Sequence, residues 1–118
     1  MTAELALAIG DTEPASSVRT LSADDWRAVV ELAGDFDLAS ADALRAELDA
    51  HLDAGRRVLR LDMSGVTFFD STAIGVVLGA HKRCAADRGA VIVAAASPSL
   101  RRLLRLTRLD AVLLVDSQ

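Results

Sequence analysis

A chain of 118 residues, 52% hydrophobic and 25% charged, is sized and composed for one globular domain and is neither disordered nor long enough for two. With three Phe and one Trp, its core must be built from Val, Leu, Ile and Ala. The formal net charge of −4 removes any electrostatic case for nucleic acid or an anionic membrane. Apolar runs such as "AVIVAAA" fall well short of the roughly 18 residues needed to span a bilayer. No signal-peptide pattern opens the sequence, and the single Cys84 has no partner for an internal disulfide. A reduced, cytoplasmic protein is the expectation.

Residues 1–17 are rich in Ala, Thr, Ser and acids and contain Pro14; they read as a mobile tail, with the folded domain over 18–118. The alternation of Leu5, Leu7 and Ile9 leaves a short strand as the other reading. "SVRTL" then reads as a weak strand and "SADDW" as a polar turn. In "WRAVVELAG", Trp26, Ala28, Val30 and Leu32 share one face, which predicts a half-buried strand closed by Gly34. "DFDLAS" reads as a loop, and Ser40 as the N-cap of a helix with Ala41, Leu44, Leu48 and Leu52 at helical spacing, stopped by Gly55.

"RRVLRLDM" predicts the next strand, with "SGVTFFD" as its exit loop. A second helix starts at Asp70 or Ser71, carries Ile74, Val77, Leu78, His81 and Ala85 on one face, and ends at Gly89. "AVIVAAA" has strand length and no polar side, as expected of a strand covered on both faces. Ser97 and Pro98 supply an N-cap and first-turn Pro for a third helix containing Leu100, Leu103 and Leu104. "AVLLVDS" reads as a final strand. Strands alternating with helices define an α/β domain with a mainly parallel sheet of four to five strands; an antiparallel first strand fits at one edge.

Asp70, Ser71 and Thr72 put three polar residues at the mouth of the second helix. A helix start needs one N-cap, so capping leaves hydroxyls over. A helix N-terminus also favours negative charge, which makes a spare hydroxyl there a position where a phosphate is tolerated. Ser71 as a hydrolytic nucleophile would need a base. His81 lies ten residues along the same helix, about 15 Å away, and His51 near the far end of another. Both histidines read as ordinary helix residues, no cofactor or metal is called for, and the chain is not expected to be an enzyme.

Asp35 and Asp37 leave the second strand at the same end of the sheet as Ser71, where parallel sheets place their sites. The plain alternative is two solvated loop acids, one of them helping the start of the first helix. Asp62, at a strand end, with Asp24 and Asp25 upstream, imitates a phosphorylated receiver domain; yet the lone Lys82 falls mid-helix. Arg101, Arg102, Arg105 and Arg108 read as a solvated face opposite the leucines of the third helix. Gly75 and Gly79 suggest close approach of the second helix to the sheet or to a partner, and Cys84 a packing role.

"GDFDLASADALRAELD", "RLDMSGVTFFDSTAIGVVLGAHKRC" and "ASPSLRRLLRLTRLDAVLLV", in that order and spacing, resemble a STAS domain of the anti-sigma factor antagonist family over about residues 18–116. The resemblance implies a STAS-type mixed sheet with helices packed mostly on one side. It also implies a partner: an anti-sigma factor with serine kinase activity, which binds the unphosphorylated antagonist and releases its sigma factor. That kinase phosphorylates a hydroxyl of the motif, and a PP2C-type phosphatase reverses the modification.

Carried across, the acceptor is Ser71, and Asp35, Asp37, Asp70, Thr72, Ala73 and Gly75 form the partner-binding motif. Ala73 stands where the family motif has Gly, adding a methyl beside the acceptor. Asp35 stands where Glu is usual. Many members continue into another helix after the last strand, and the present sequence does not, which would reduce sheet cover or partner surface. A second reading is a STAS subunit that docks constitutively on a transport or signalling assembly.

Overall fold

The computed structural model describes residues 16–116, so the expected tail lies outside the described residues except for Ser16 and Ser17, which open the first strand. In chain order the elements are β1 (Ser16–Ala23), β2 (Arg27–Phe36), α1 (Leu38–Asp53), β3 (Val58–Phe69), α2 (Ser71–Ala86), β4 (Ala90–Ala94) and α3 (Pro98–Leu106). A 3₁₀ turn (Leu109–Ala111) and a two-residue β5 (Leu114–Val115) follow. The strands lie in sequence order, β1-β2-β3-β4-β5; β1 pairs antiparallel with β2 and every other pair is parallel.

Alternation decides which side of the sheet is covered. Val30 and Leu32 of β2, Leu59 and Leu61 of β3, and Val91 and Val93 of β4 are buried and join one core with the helices. Leu44 and Leu48 from α1, Val77 and Cys84 from α2, and Leu100 and Leu104 from α3 complete it. Burying a Leu or Val side chain is worth about 1.5–3 kcal/mol, so this shared face dominates the stability. The alternate residues Val29, Glu31, Val58, Arg60 and Ile92 are only half-buried and carry ion pairs, Arg19–Glu31 at 2.9 Å and Arg60–Asp116 at 2.5 Å. Among the described residues the sheet is therefore covered on one face, including at β4. "AVIVAAA" is uniformly apolar yet not covered twice, and Ala95, at φ 57°, ends the strand within it.

Several boundaries differ from the sequence reading. Gly34 does not close β2, which runs on to Phe36, and most of "SGVTFFD" is strand, because Val66 pairs with Gly34 and Phe69 with Phe36 across register shifts. Helix α1 starts at Leu38, with Asp37 and not Ser40 as its N-cap. Trp26 precedes β2 and is exposed. The buried stripe of α2 is Ala73, Val76, Val77, Ala80 and Cys84, rotated from the expected face, because α2 packs on α1 as well as on the sheet. Ile74, Leu78 and His81 are half-buried at its margin and Ala85 is exposed. The final strand is two residues long because the 3₁₀ turn takes Ala111 and the N–H groups of Val112 and Leu113 turn back to the Leu109 carbonyl.

Candidate functional site

Three parallel strands hand the chain to three helices at one rim of the sheet, and two of these junctions form the site. At the first, Asp37 Oδ1 accepts from the backbone N–H of Ala39 (3.0 Å) and Ser40 (3.1 Å), while Ser40 Oγ accepts from the Asp37 N–H (2.9 Å). This reciprocal box satisfies donors that a helix start leaves free. The same bonds, that from the Ser40 backbone foremost, hold the Asp37 carboxyl below the ordinary carboxylate range.

At the second junction Asp70 is the N-cap of α2, and its Oδ1 accepts from the Ala73 N–H at 3.1 Å. The junctions are tied together: the Asp70 N–H donates to the Phe36 carbonyl at 3.0 Å, and the Thr67 hydroxyl donates to Asp35 Oδ1. Beneath them the Phe36 and Phe69 rings meet at 5.5 Å between centroids. Asp35, Asp37, Asp70 and Ser71 thus occupy one continuous rim.

Ser71 is the first residue of α2; it is exposed, and its hydroxyl makes no hydrogen bond among the described residues. Capping is taken by Asp70, which leaves the Ser71 oxygen spare. Thr72 is half-buried beside it. Ala73 is fully buried, its methyl in the core, so it cannot form part of a partner-binding surface; at N3 of α2 it is the residue whose side chain turns inward. Gly75 is exposed, and a Cβ at Gly75 or Gly79 would meet nothing within 4 Å, so neither serves close approach to the sheet.

Two rim residues escaped the sequence reading. Leu38, 72% exposed, and Phe68, 52% exposed, flank the two junctions and give the acidic rim apolar anchors. The available signal was an apolar residue one or two positions from a capping acid, Leu38 in "DFDL" and Phe68 in "TFFD".

The rejected chemistries stay apart in space. His81 Nδ1 accepts from the Val91 N–H at 3.1 Å, pinning α2 to β4 well down the helix from Ser71. Asp62 lies within β3 and accepts from the Ser64 N–H, whereas Asp24 caps the β1–β2 turn through Trp26 and Arg27, so no receiver-type cluster forms. Among the described residues no group of three His, Cys, Asp or Glu is placed to hold a metal. Cys84 is buried, and burial pushes its thiol pKa up. Among the described residues no helix is long and apolar enough to cross a membrane.

The comparisons agree with this architecture. The family described as "Mlab, STAS domain" matches residues 20–116. The anti-sigma-B factor antagonist of Bacillus subtilis (strain 168) is 30% identical over 89 residues, covering 75% of this chain and 81% of that protein. An anti-sigma factor antagonist from Mycobacterium paratuberculosis superposes with a TM-score of 0.78 at 24% identity, over 91% of each chain. Unphosphorylated SpoIIAA, also an anti-sigma factor antagonist, gives 0.74 at 19% identity over 86% of this chain and 90% of that one. The chain belongs to the STAS-domain family, among its anti-sigma factor antagonists. The antagonists of that family are regulatory binding proteins and not enzymes.

Proposed function

We propose that the chain acts in the cytoplasm as a phosphorylation-controlled antagonist. With Ser71 unmodified it binds an anti-sigma factor that has serine kinase activity, and a sigma factor is released. Ser71 Oγ then attacks the terminal phosphorus of the kinase's ATP, ADP leaves, the hydroxyl proton passes to a base of the kinase, and the antagonist lets go. A PP2C-type phosphatase restores the hydroxyl.

One observation carries this reading: Asp70 does the capping, so the exposed Ser71 hydroxyl is free for another task. Asp35, Asp37, Asp70, Thr72 and Gly75, with Leu38 and Phe68, make up the surface around it, while Ala73 supports that surface from below. A phosphate adds about −1.5 to −2 charges and three acceptor oxygens. The α2 N-terminus offsets part of that charge in the free protein. A packed interface lined by Leu38 and Phe68 does not, and an uncompensated charge there costs about 3–5 kcal/mol.

The test is incubation with ATP and each candidate anti-sigma kinase, followed by phosphosite mapping and affinity measurement. Ser71→Ala should bind and take up no phosphate; Ser71→Asp should bind at least roughly a hundredfold more weakly. Ala73→Gly should be phosphorylated like the parent, since the methyl it removes faces the core. Equal affinity of Ser71→Asp and the parent overturns the switch. Binding with no phosphate on Ser71 points instead to a constitutive STAS subunit.

A further inference from the structure

Acids match arginines over much of the described surface: Arg57 meets Asp87 at 2.6 Å, and Arg83 sits between Asp49 and Asp53. Three arginines on and just beyond α3 depart from this. Arg102, Arg105 and Arg108 are exposed and make no hydrogen bond or ion pair among the described residues, and α3 contains no acid. Asp110, in the next turn, borders the stretch without closing to ion-pair distance of any of the three. Three cations gathered without counter-charge, on a chain of net charge −4, leave a local excess that the molecule does not neutralise.

Leucine placement adds a second feature. Leu100 and Leu104 are buried, as an amphipathic helix requires, but Leu106 points outward beside Arg102 and Arg105 and is 72% exposed. Between this helix and the end of β3 runs a shallow groove lined by Thr67, Phe68, Ser99 and Leu103, among others. One bank is Phe68, next to the rim that carries Ser71. On the opposite bank Leu103 and Ser99 give way, around the helix, to Leu106 and Arg102.

We propose that this groove and its arginine bank are a docking surface for an acidic amphipathic helix of a partner protein. The proposal rests on the reading above only in taking that partner to be the one that contacts Ser71. The helix would lay its apolar stripe between Phe68 and Leu103, reach Leu106, and set its carboxylates against Arg102 and Arg105. A lipid surface fits less well, since Leu100 and Leu104 are committed to the core and Leu106 alone remains to enter it. Nucleic acid fits less well because a run of phosphates needs a longer basic track than these few arginines offer on a chain of net charge −4.

The probe is a synthetic helical peptide of about 15 residues, with leucines at i, i+3, i+4, i+7 spacing and glutamates along one flank, titrated into the full 15N-labelled chain. Amide shifts should concentrate at Phe68, Leu103 and Leu106, and affinity should fall as salt rises. Arg102→Glu with Arg105→Glu should weaken binding roughly tenfold or more without moving the unfolding midpoint. Leu106→Ala should weaken it severalfold. The proposal fails if a Glu→Gln peptide binds equally well, if shifts map elsewhere, or if the paired Arg→Glu change has no effect. It also fails if vesicles of anionic lipid, or a single-stranded oligonucleotide, bind through these arginines while the peptide does not. The peptide titration uses the unmodified parent with no kinase and no ATP, so failure of the phosphorylation switch and failure of the groove give different results.

Discussion

Among leucines near the end of α1, His51 is held between one donor and one acceptor that fix its neutral form. Arg56 lies 3.2 Å from Nδ1, and because arginine can only donate, Nδ1 is the acceptor and the proton is on Nε2. Nε2 faces the Thr20 hydroxyl at 2.8 Å, and that hydroxyl donates to Glu47 at 2.5 Å, so the relay fastens the edge strand β1 to α1. Burial lowers the His51 pKa; Glu47 pulls it up and Arg56 pushes it down further, with burial prevailing. A group depressed in this way is protonated first in the unfolded chain. The stability it lends is therefore complete above its ordinary value of 6.5 and is lost as pH falls below that. Urea unfolding at pH 7.5 and 5.5 should show the midpoint dropping for the parent and dropping less for His51→Gln; parallel drops would refute the relay. None of this was legible in "AHLDAG", because a helix pattern places His51 near a leucine stripe without naming what crosses over to meet it. Asp37 was misread for a similar reason. Asp37 and Ser40 both have capping chemistry, and only the path of the strand, carried to Phe36, decides between them.

Elements were legible in kind and order wherever a period is long and clean, as in α1 with Leu44, Leu48 and Leu52 or β3 with Leu59, Leu61 and Met63. Their ends were not. Gly65, Thr67 and Phe68 read as loop because register shifts break the two-residue alternation, yet the backbone goes on pairing with β2. The turn from α2 to β4 gives a test at this scale. Arg88 takes a left-handed conformation, φ 67°, and Gly89 donates to the Cys84 carbonyl while passing so close to Arg57 that a Cβ would lie 1.8 Å from its carbonyl oxygen. The obstacle is backbone, which cannot rotate away. Gly89→Ala should cost about 2–4 kcal/mol in chemical denaturation, whereas Gly79→Ala, on open space in a helix, should stabilise by up to about 1 kcal/mol. Equal effects would contradict the close approach.

Over the whole molecule, parallel strands start α1, α2 and α3 at the same rim, with Asp37, Asp70 and Ser97 as their caps. The positive ends of three helices thus point to the side where Ser71 stands, which explains how the rim tolerates so many acids. A phosphate on Ser71 should consequently leave the fold intact. The melting midpoint of the phosphorylated chain should stay within about 5 °C of the unmodified one, equivalent to about 1 kcal/mol in a domain this size. A larger fall, seen by circular dichroism, would mean that modification works by unfolding and not by blocking contact. The alternation of strands and helices and the grouping of the Asp35 and Ser71 turns were visible in the sequence, whereas the order of the strands in the sheet came from the structure. That helices cover mostly one face was implied by the family resemblance and not by periodicity, since β4 is apolar on both sides.

Because α1 runs away from the rim, His51 lies thirteen residues along it from Leu38, about 20 Å at the helical rise. Ions in physiological buffer blur a charge beyond about 8 Å. Protonation of His51 at one pole is thus electrically screened from the Ser71 hydroxyl at the other, so a pH change felt through His51 leaves the electrostatics of the proposed acceptor untouched.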